Sequence, residues 1–322
     1  MAEKYTYAVA RVRARETSLL TDKDLDMLLS AKTYDEALRI LADRGFSGSG
    51  EFSDYGELLR QETDKIWNFV KEIGINQEEL SVFLLKRDFH NIKAAIKAVL
   101  TSASEEGIYL SGGTIAPDVI RESVAKRDFS VLPEYMAQAA QSAAETFLKT
   151  GDGQACDIII DRAALEAIKK AGEESDIPMI SEYAELTIAL SDIKIAVRSC
   201  ALSKNGKFIK DAIAPCDTLN IDTLCRAAAK GLDELYSYLS VTPYARAKDA
   251  LSVSYSEFEK WCDNLIMDTI SAQKYNSFTI APIAAYILAR ENEIGAVRII
   301  LSGKKNGLSQ ESIKERLRDM YA

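Results

Sequence analysis

The segment LTIALSDIKIAVRSCAL, residues 186–202, restricts the possible fold more than any other part of the chain. Its apolar residues recur at spacings of three and four along one helical face, at positions 186, 190, 193, 197 and 200. Ile188 and Ile195 lie off that face, so the helix is apolar around most of its circumference. Such a helix belongs in a protein core, yet it carries Asp192 and Arg198.

Most of the remaining sequence follows the same helical period, and no convincing alternating β-strand pattern interrupts it. Only 6 prolines and 16 glycines occur among 322 residues, so long stretches contain no helix breaker. We therefore predict an all-α protein. The candidate helices lie at about 4–20, 23–31, 33–44, 54–74, 77–101, 116–127, 132–149, 152–171, 181–202, 220–239, 243–251, 254–273, 281–302 and 309–320.

Two other long apolar helices resemble the first, KRDFHNIKAAIKAVL at 86–100 and ARENEIGAVRIIL at 289–301. Each of the three has an acid near its middle and a base six to nine residues later: Asp88 and Lys97, Asp192 and Arg198, Glu291 and Arg298. The bases are separated by 101 and 100 residues. This recurrence predicts three diverged copies of one helical unit of about 100 residues.

Three tyrosines support the same period, because each opens a short amphipathic helix: Tyr34, Tyr135 and Tyr244, at separations of 101 and 109 residues. Linkers containing Ser, Gly and Pro follow the first two long helices, at 101–117 and 203–217. We therefore predict three helical repeat units, at 1–106, 107–210 and 211–322. Such units form either an open solenoid or a closed pseudo-threefold ring.

An acid and a base that recur in three core helices indicate one structural function, performed three times. The expected function is to tie a core helix to its neighbour or to the next unit through a partly buried ion pair. The six predicted ion-pair residues are Asp88, Lys97, Asp192, Arg198, Glu291 and Arg298.

Composition excludes several classes of protein. A net charge of −9 argues against a nucleic-acid-binding protein, which needs a basic surface for phosphate groups. No stretch approaches eighteen uninterrupted apolar residues, so no membrane-spanning segment is predicted. The N-terminal residues lack the apolar core of a signal peptide, and the 5 cysteines form no C-x-x-C pair. We therefore expect a cytoplasmic protein with reduced cysteines.

The sequence offers little for catalysis. His90 is the single histidine, which excludes a histidine-rich metal site, and no G-x-x-x-x-G-K-[ST] loop is present to bind a nucleotide. Asp157 and Asp161 share one helix face and could hold Mg²⁺ against a diphosphate, but no second acidic cluster matches them. We predict no catalytic residue, cofactor or metal. Two alternatives remain, a diphosphate-processing all-α enzyme and a helical-repeat scaffold, although scaffold repeats have periods near 35–45 residues.

Four segments resemble, in their order and spacing, the C subunits of the V-type and archaeal-type rotary ATPases, a family that includes the eukaryotic d subunit. They are YAVARVRARETSLLTDKDLDMLLSAKTYDEALRIL (7–41), FLLKRDFHNIKAAIKA (83–98), DIIIDRAALEAI (157–168) and PIAAYILARENEIGAVRIILSGKKNGLSQESIKERL (282–317). The resemblance covers essentially the whole chain. One departure concerns the second unit, where Ile195 replaces the residue that corresponds to Asn91 beside the acid, so the tie there is expected to differ.

The resemblance implies a funnel-shaped protein of three similar helical domains around a pseudo-threefold axis. Such a protein is not an enzyme. It lies on the cytoplasmic face of the membrane rotor ring, receives the foot of the central stalk and transmits torque, with protons or sodium ions as the transported ion. The expected partners are therefore stalk and ring subunits. Residues on the short helices are expected to contact the stalk: Met27, Leu28, Tyr34, Leu132, Tyr135, Val241 and Tyr244.

Overall fold

The computed structural model describes residues 2–46, 55–101, 103–105, 107–276 and 278–321, and these residues contain helices and no β-strand. The prediction of an all-α fold is confirmed. The α-helices are α1 (Ala2–Glu16), α2 (Asp22–Ser30), α3 (Tyr34–Asp43), α4 (Tyr55–Glu72), α5 (Leu85–Thr101), α6 (Pro117–Lys126), α7 (Glu134–Thr150), α8 (Gly153–Glu173), α9 (Pro178–Ala201), α10 (Gly206–Ala212), α11 (Ile221–Lys230), α12 (Leu232–Leu239), α13 (Ala247–Val253), α14 (Tyr255–Ser271), α15 (Ala281–Lys305) and α16 (Gln310–Lys314). Two 3-10 helices span Gln77–Phe83 and Ala272–Tyr275.

Residues 1–77 and 249–322 form one compact part of the chain, which we name the terminal module. Its central element is α15, which packs against α1, α2, α3, α4, α14 and α16. The first nine residues of α15 are all buried, because the sequence there is apolar on every side of the helix. Pro282 is tolerated because it lies in the first turn, where its missing N–H would have no helical partner.

Residues 78–248 form the second compact part, the central module, in which α5, α8 and α9 are the main packing elements. The turn between α7 and α8 is two residues long. Gly151 has a φ of 66°, and the side chain of Asp152 caps α8 by accepting hydrogen bonds from the N–H groups of Gln154 and Ala155. This short turn places α7 against α8, where a face of buried alanines on α7 allows close packing.

The structure corrects several predicted elements. The helix predicted at 77–101 is a 3-10 helix followed by α5, and the helix predicted at 309–320 is the short α16, which ends at Lys314. The helix predicted at 220–239 is two helices, α11 and α12, because Gly231 between them has a φ of 128°. The predicted linker at 203–217 contains α10, which is capped by Asn205 and buries Ile209 and Ala212. The division into three units at 1–106, 107–210 and 211–322, and their arrangement as a funnel around a pseudo-threefold axis, stay predictions.

Candidate functional site

Asp88 of α5 is fully buried and binds the chain segment that follows its helix. Its Oδ2 accepts hydrogen bonds from the N–H and hydroxyl of Thr114, at 3.1 and 2.6 Å, and its Oδ1 accepts one from the N–H of Ile115 at 3.3 Å. Burial raises the pKa of Asp88, and these hydrogen bonds oppose the rise. The sequence predicts that Asp88 forms an ion pair with a base such as Lys97. In the structure, Asp88 instead accepts hydrogen bonds from Thr114 and Ile115, which lie near the start of the second predicted unit.

Two further side chains of α5 contact the backbone of the segment that precedes Thr114. The side chain of Asn91 makes two hydrogen bonds with the backbone of Leu110, donating from Nδ2 at 2.9 Å and accepting at Oδ1 at 2.8 Å. The Nε2 of His90 lies 3.1 Å from the carbonyl oxygen of Ile108. Residues 108–115 are therefore bound to α5 by several side chains, and the single histidine has a structural contact.

Asp192 of α9 has the corresponding contact, with fewer bonds. It is fully buried, and its Oδ1 accepts one hydrogen bond, from the N–H of Ala214 at 3.1 Å. Its Oδ2 has no hydrogen-bond partner among the described residues. Ile195, one turn later, offers no polar group, so the expected difference from the Asn91 arrangement is observed. Burial raises the pKa of Asp192 to about 8.

The third fully buried acid is Glu293 of α15, two residues after the predicted Glu291, which is half-buried. The helical phase turns position 293, and not 291, into the core. The ion pair expected between Glu291 and Arg298 stays a prediction. The Oε1 of Glu293 accepts a hydrogen bond from the N–H of Leu20 at 3.0 Å, and its Oε2 pairs with Arg290. Burial raises the pKa of Glu293, and the charge of Arg290 opposes the rise.

Arg290 is itself part of a buried ion cluster in the terminal module. Its second terminal nitrogen lies 2.7 Å from Oε2 of Glu62, whose other oxygen lies 2.5 Å from Nζ of Lys65. The guanidinium also lies over the ring of Phe46, 5.2 Å from its centroid. Sequence reasoning missed this cluster, although Arg290 and Glu293 stand three residues apart, the spacing of neighbours on a helix.

The predicted bases have different environments. Lys97 pairs with Asp157 at 2.7 Å, an ion pair that joins α5 to α8. Arg198 and Arg298 are exposed, so neither lies on the inward face of its helix, and their part in ion pairs stays a prediction. Each of these two arginines lies five or six residues after the buried acid of its helix. That spacing rotates the base away from the inward face.

The predicted stalk-contacting residues divide into buried and exposed groups. Leu28, Leu132 and Tyr244 are 1%, 6% and 1% exposed, so the prediction that they present a contact surface is wrong. They lie on the inward faces of their segments, and the hydroxyl of Tyr244 is 2.8 Å from Oγ1 of Thr218. Met27, Tyr135 and Val241 are 41%, 41% and 82% exposed and Tyr34 is half-exposed, so these four stay candidates.

Tyr135 borders an open groove of about 590 Å³ in the central module, between α7, α8 and α10. Its lining includes Ile158 and Ile159 of α8 and Phe208 of α10. Charged residues at its margin are Asp152, Arg162, Glu166 and Asp211, and Arg162 is paired with Glu166 at 2.8 Å. A second open groove, of about 610 Å³, is lined by Leu132, another predicted contact residue.

Asp157 and Asp161, the pair considered for Mg²⁺, are both paired with lysines of α5. Lys97 neutralises Asp157, and Lys93 lies 2.6 Å from Oδ1 of Asp161. These contacts indicate that the two aspartates form ion pairs between α5 and α8 and do not form a metal site. In the described ranges no group of three or more His, Cys, Asp or Glu side chains has a geometry that could hold a metal ion.

In the part of the chain that the structure describes, no helix is both long and apolar enough to cross a membrane.

The sequence model of one protein family, ATP synthase (C/AC39) subunit, matches residues 8–316. The C subunit of the V-type sodium ATPase of Enterococcus hirae is 22% identical to this chain over 317 residues, which cover 96% of this chain and 97% of that protein. The C subunit of the V-type ATP synthase of Thermus thermophilus is 22% identical over 330 residues, 98% of this chain and 99% of that protein. The C subunit of the A-type ATP synthase of Methanosarcina mazei is 25% identical over 347 residues, which cover 98% of this chain and 93% of that protein.

These matches confirm the resemblance found in the sequence and replace the two alternatives, the scaffold and the diphosphate enzyme. They extend over nearly the full length of the chain and of each relative. The chain belongs to the ATP synthase (C/AC39) subunit family, and is a non-catalytic structural component of a V/A-type rotary ATPase.

Proposed function

We propose that this chain is the central-rotor component that links the central stalk to the membrane rotor ring and transmits torque between them. Ion transport through the ring would thereby be coupled to ATP hydrolysis or synthesis. The observation that carries the proposal is the family match over residues 8–316, together with relatives named as C subunits that are covered over 97% and 99% of their lengths. The names of these relatives include a sodium ATPase and ATP synthases. The proposed location is the cytoplasmic face of the membrane, where the chain is a peripheral part of the complex.

Three fully buried acids give this proposal a physical basis. Asp88, Asp192 and Glu293 are 104 and 101 residues apart, near the predicted repeat length. Each accepts a backbone N–H from a segment that precedes a helix: Thr114 and Ile115, Ala214, and Leu20. We name these three contacts the carboxylate ties.

The carboxylate ties follow the predicted units in a cycle. Asp88 of the first predicted unit binds the second, Asp192 of the second binds the third, and Glu293 of the third binds the first. A protein that transmits torque must resist shear between its parts. Ties that return to the first unit provide that resistance, whereas an open chain of units leaves its two ends free. The cycle therefore supports the proposed role in transmitting torque.

The stalk is proposed to bind the accessible candidates, which are Met27 of α2, Tyr34 of α3, Tyr135 in the first turn of α7 and Val241 in the turn that follows α12. Apolar and aromatic side chains of this kind usually contribute most of the affinity at protein interfaces. The groove beside Tyr135 offers a concave surface for a projecting side chain or helix of the partner.

Reconstitution tests the proposal. The stalk and ring subunits of the same complex are purified and mixed with and without this chain, and the ring is then isolated. We expect stalk subunits to be recovered with the ring when the chain is present and to be lost when it is omitted. A ring that retains the stalk equally well without the chain would show that the chain is not the link.

A further inference from the structure

The carboxylate ties differ in how completely each acid is hydrogen-bonded. Asp88 accepts three hydrogen bonds, distributed over both carboxyl oxygens. Glu293 accepts one from backbone and has Arg290 beside its other oxygen. Asp192 accepts only the N–H of Ala214, and its Oδ2 has no hydrogen-bond partner among the described residues. Asp192 is nevertheless as fully buried as the other two.

The titratable groups around Asp192 do not favour its ionised form. Glu185, on the same helix, adds a negative charge and raises the pKa of Asp192. Arg162 of α8 lowers it, but less than burial raises it, and this guanidinium is paired with Glu166. The thiol of Cys216, in the bound segment, has its pKa raised to about 12 by burial, and burial also raises the pKa of the Cys225 thiol in α11.

Two further helices pack against α9. Lys210 of α10 is paired with Asp222 at 2.8 Å, and the hydroxyl of Tyr238 in α12 accepts a hydrogen bond from the N–H of Asn220. Both groups are therefore engaged with other partners. A buried carboxylate with a single N–H donor and no paired cation is strongly disfavoured, whereas a neutral carboxyl group is tolerated at lower cost.

We propose that Asp192 is a protonation-dependent tie: the neutral carboxyl group binds residues 213–216 to α9, and loss of its proton weakens that contact. In the neutral form Oδ1 accepts the N–H of Ala214 and the proton resides on Oδ2. In the ionised form the carboxylate gains solvation only if the segment separates from α9 and admits water. This protonation-dependent contact does not rest on the proposed link between stalk and ring, and it requires no partner protein.

The direction of the pH dependence follows from linkage. An aspartate in an unfolded or opened chain has a pKa of about 3.9, and Asp192 in the closed structure has a pKa of about 8. The closed state therefore binds more protons between these two values. The stability that Asp192 contributes is full below the lower value, falls as the pH rises through the interval, and is constant above it.

Hydrogen exchange at the Ala214 amide tests the proposal on the full chain. We expect the protection factor of this amide, corrected for the intrinsic exchange rate, to fall between pH 5 and pH 8 by up to about tenfold per pH unit. In Asp192→Asn the protection factor should be nearly constant over this range, because the amide group does not titrate. A protection factor in the parent protein that changes with pH no more than it does in the variant would overturn the proposal.

Asp88→Asn is the matched control. Both oxygens of Asp88 accept hydrogen bonds, so an amide nitrogen at either position faces an N–H or hydroxyl donor and the melting temperature should fall. At position 192 the amide nitrogen can occupy the place of Oδ2 without displacing a donor. We therefore expect Asp192→Asn to melt at about the same temperature as the parent at pH 5, and at least about 4 °C higher at pH 8.

A lower melting temperature for Asp192→Asn at pH 8 would contradict the proposal. If that variant does not fold, the carboxyl carbon of Asp192 is followed directly by ¹³C NMR in the unmodified protein. A titration midpoint near 8 supports the protonation-dependent tie, and a midpoint near 4 rules it out.

Discussion

Arg290 and Glu62 are 228 residues apart in the sequence, and their side chains form an ion pair of 2.7 Å inside the terminal module. Arg290 also pairs with Glu293, so one guanidinium neutralises two carboxylates that are buried almost completely. The ion cluster joins α15 to α4 at the centre of this module. Its cation is therefore the member whose loss leaves the most uncompensated charge.

We expect Arg290→Met to reduce the free energy of unfolding by about 3 to 5 kcal/mol. Methionine fills similar volume but leaves Glu293 without a cation and Glu62 with Lys65 alone. Chemical denaturation, followed by circular dichroism, measures the change. An exposed ion pair of the same module, Lys314 with Asp26 at 3.2 Å, supplies the control.

Lys314→Met should leave the unfolding midpoint essentially unchanged, since both partners of that pair are solvated and such pairs contribute little. Equal midpoints for Arg290→Met and Lys314→Met would mean that the buried cluster does not stabilise the module.

Gly113 offers a test of the Asp88 tie. A Cβ atom added at Gly113 would lie 2.2 Å from Oδ1 of Asp88, which is far inside van der Waals contact. Because Oδ1 is held by the N–H of Ile115, we expect Gly113→Ala to destabilise the protein by about 1 to 3 kcal/mol. Thermal unfolding measures the change.

Gly295 is the matched position for this prediction. It lies inside α15, and an added Cβ would have no atom within 4 Å. Gly295→Ala should therefore stabilise the protein by about 0.5 to 1 kcal/mol, as expected when alanine replaces glycine within a helix. Two substitutions with the same chemistry are thus expected to change stability in opposite directions, and a common sign would refute the packing argument at Gly113.

The sequence predicted which helices enter the core better than it predicted what their charged residues do. The apolar circumference of residues 186–202 correctly placed Asp192 in the interior, because burial follows from periodicity within one helix. The partner of Asp192 was not predictable in this way. It is a backbone N–H, 22 residues later, and every residue type except proline carries that group. Only the folded chain shows which N–H reaches the acid.

The sequence predictions were wrong where the same residue type is common in two different structural settings. Glycine and proline near 203–217 indicated a linker, but Asn205 caps a short helix there and Ile209 anchors it in the core. The sequence analysis selected Glu291 and not Glu293, although both lie near the middle of the same apolar helix. A phase difference of two residues, which the packing of α15 decides, separates the half-buried acid from the fully buried one.

The assignment as a non-catalytic component leads to a prediction about ligands. We expect the purified chain to show no measurable affinity for ATP or for Mg²⁺ with diphosphate, and to hydrolyse neither, since Asp157 and Asp161 are paired with lysines. Isothermal titration calorimetry measures binding. A micromolar site that is abolished by Asp157→Asn would show that the lysine pairing does not prevent ligand binding.

The exposed candidates lead to a prediction about the stalk. Tyr135→Glu and Val241→Glu place a charge on surface positions of the central module, and Met27→Glu does so in the terminal module. We expect each substitution to weaken stalk binding by about tenfold or more if the residue is an apolar anchor of the interface. The melting temperature should stay unchanged, because these side chains are exposed. Affinity is measured by pull-down of purified stalk subunits over a range of concentrations.

Two kinds of control separate binding from folding in this experiment. Leu202→Glu changes a residue that is 63% exposed but lies outside the short helices, so stalk binding should persist. Leu28→Glu and Tyr244→Glu change buried residues and should lower the melting temperature, which distinguishes loss of the fold from loss of the surface. If two of the three exposed variants bind the stalk as tightly as the parent while Leu202→Glu does not, the stalk contacts another surface of the chain. The proposal that Met27, Tyr135 and Val241, one from each predicted unit, contact the stalk would then be wrong, although the family membership of the chain would be unaffected.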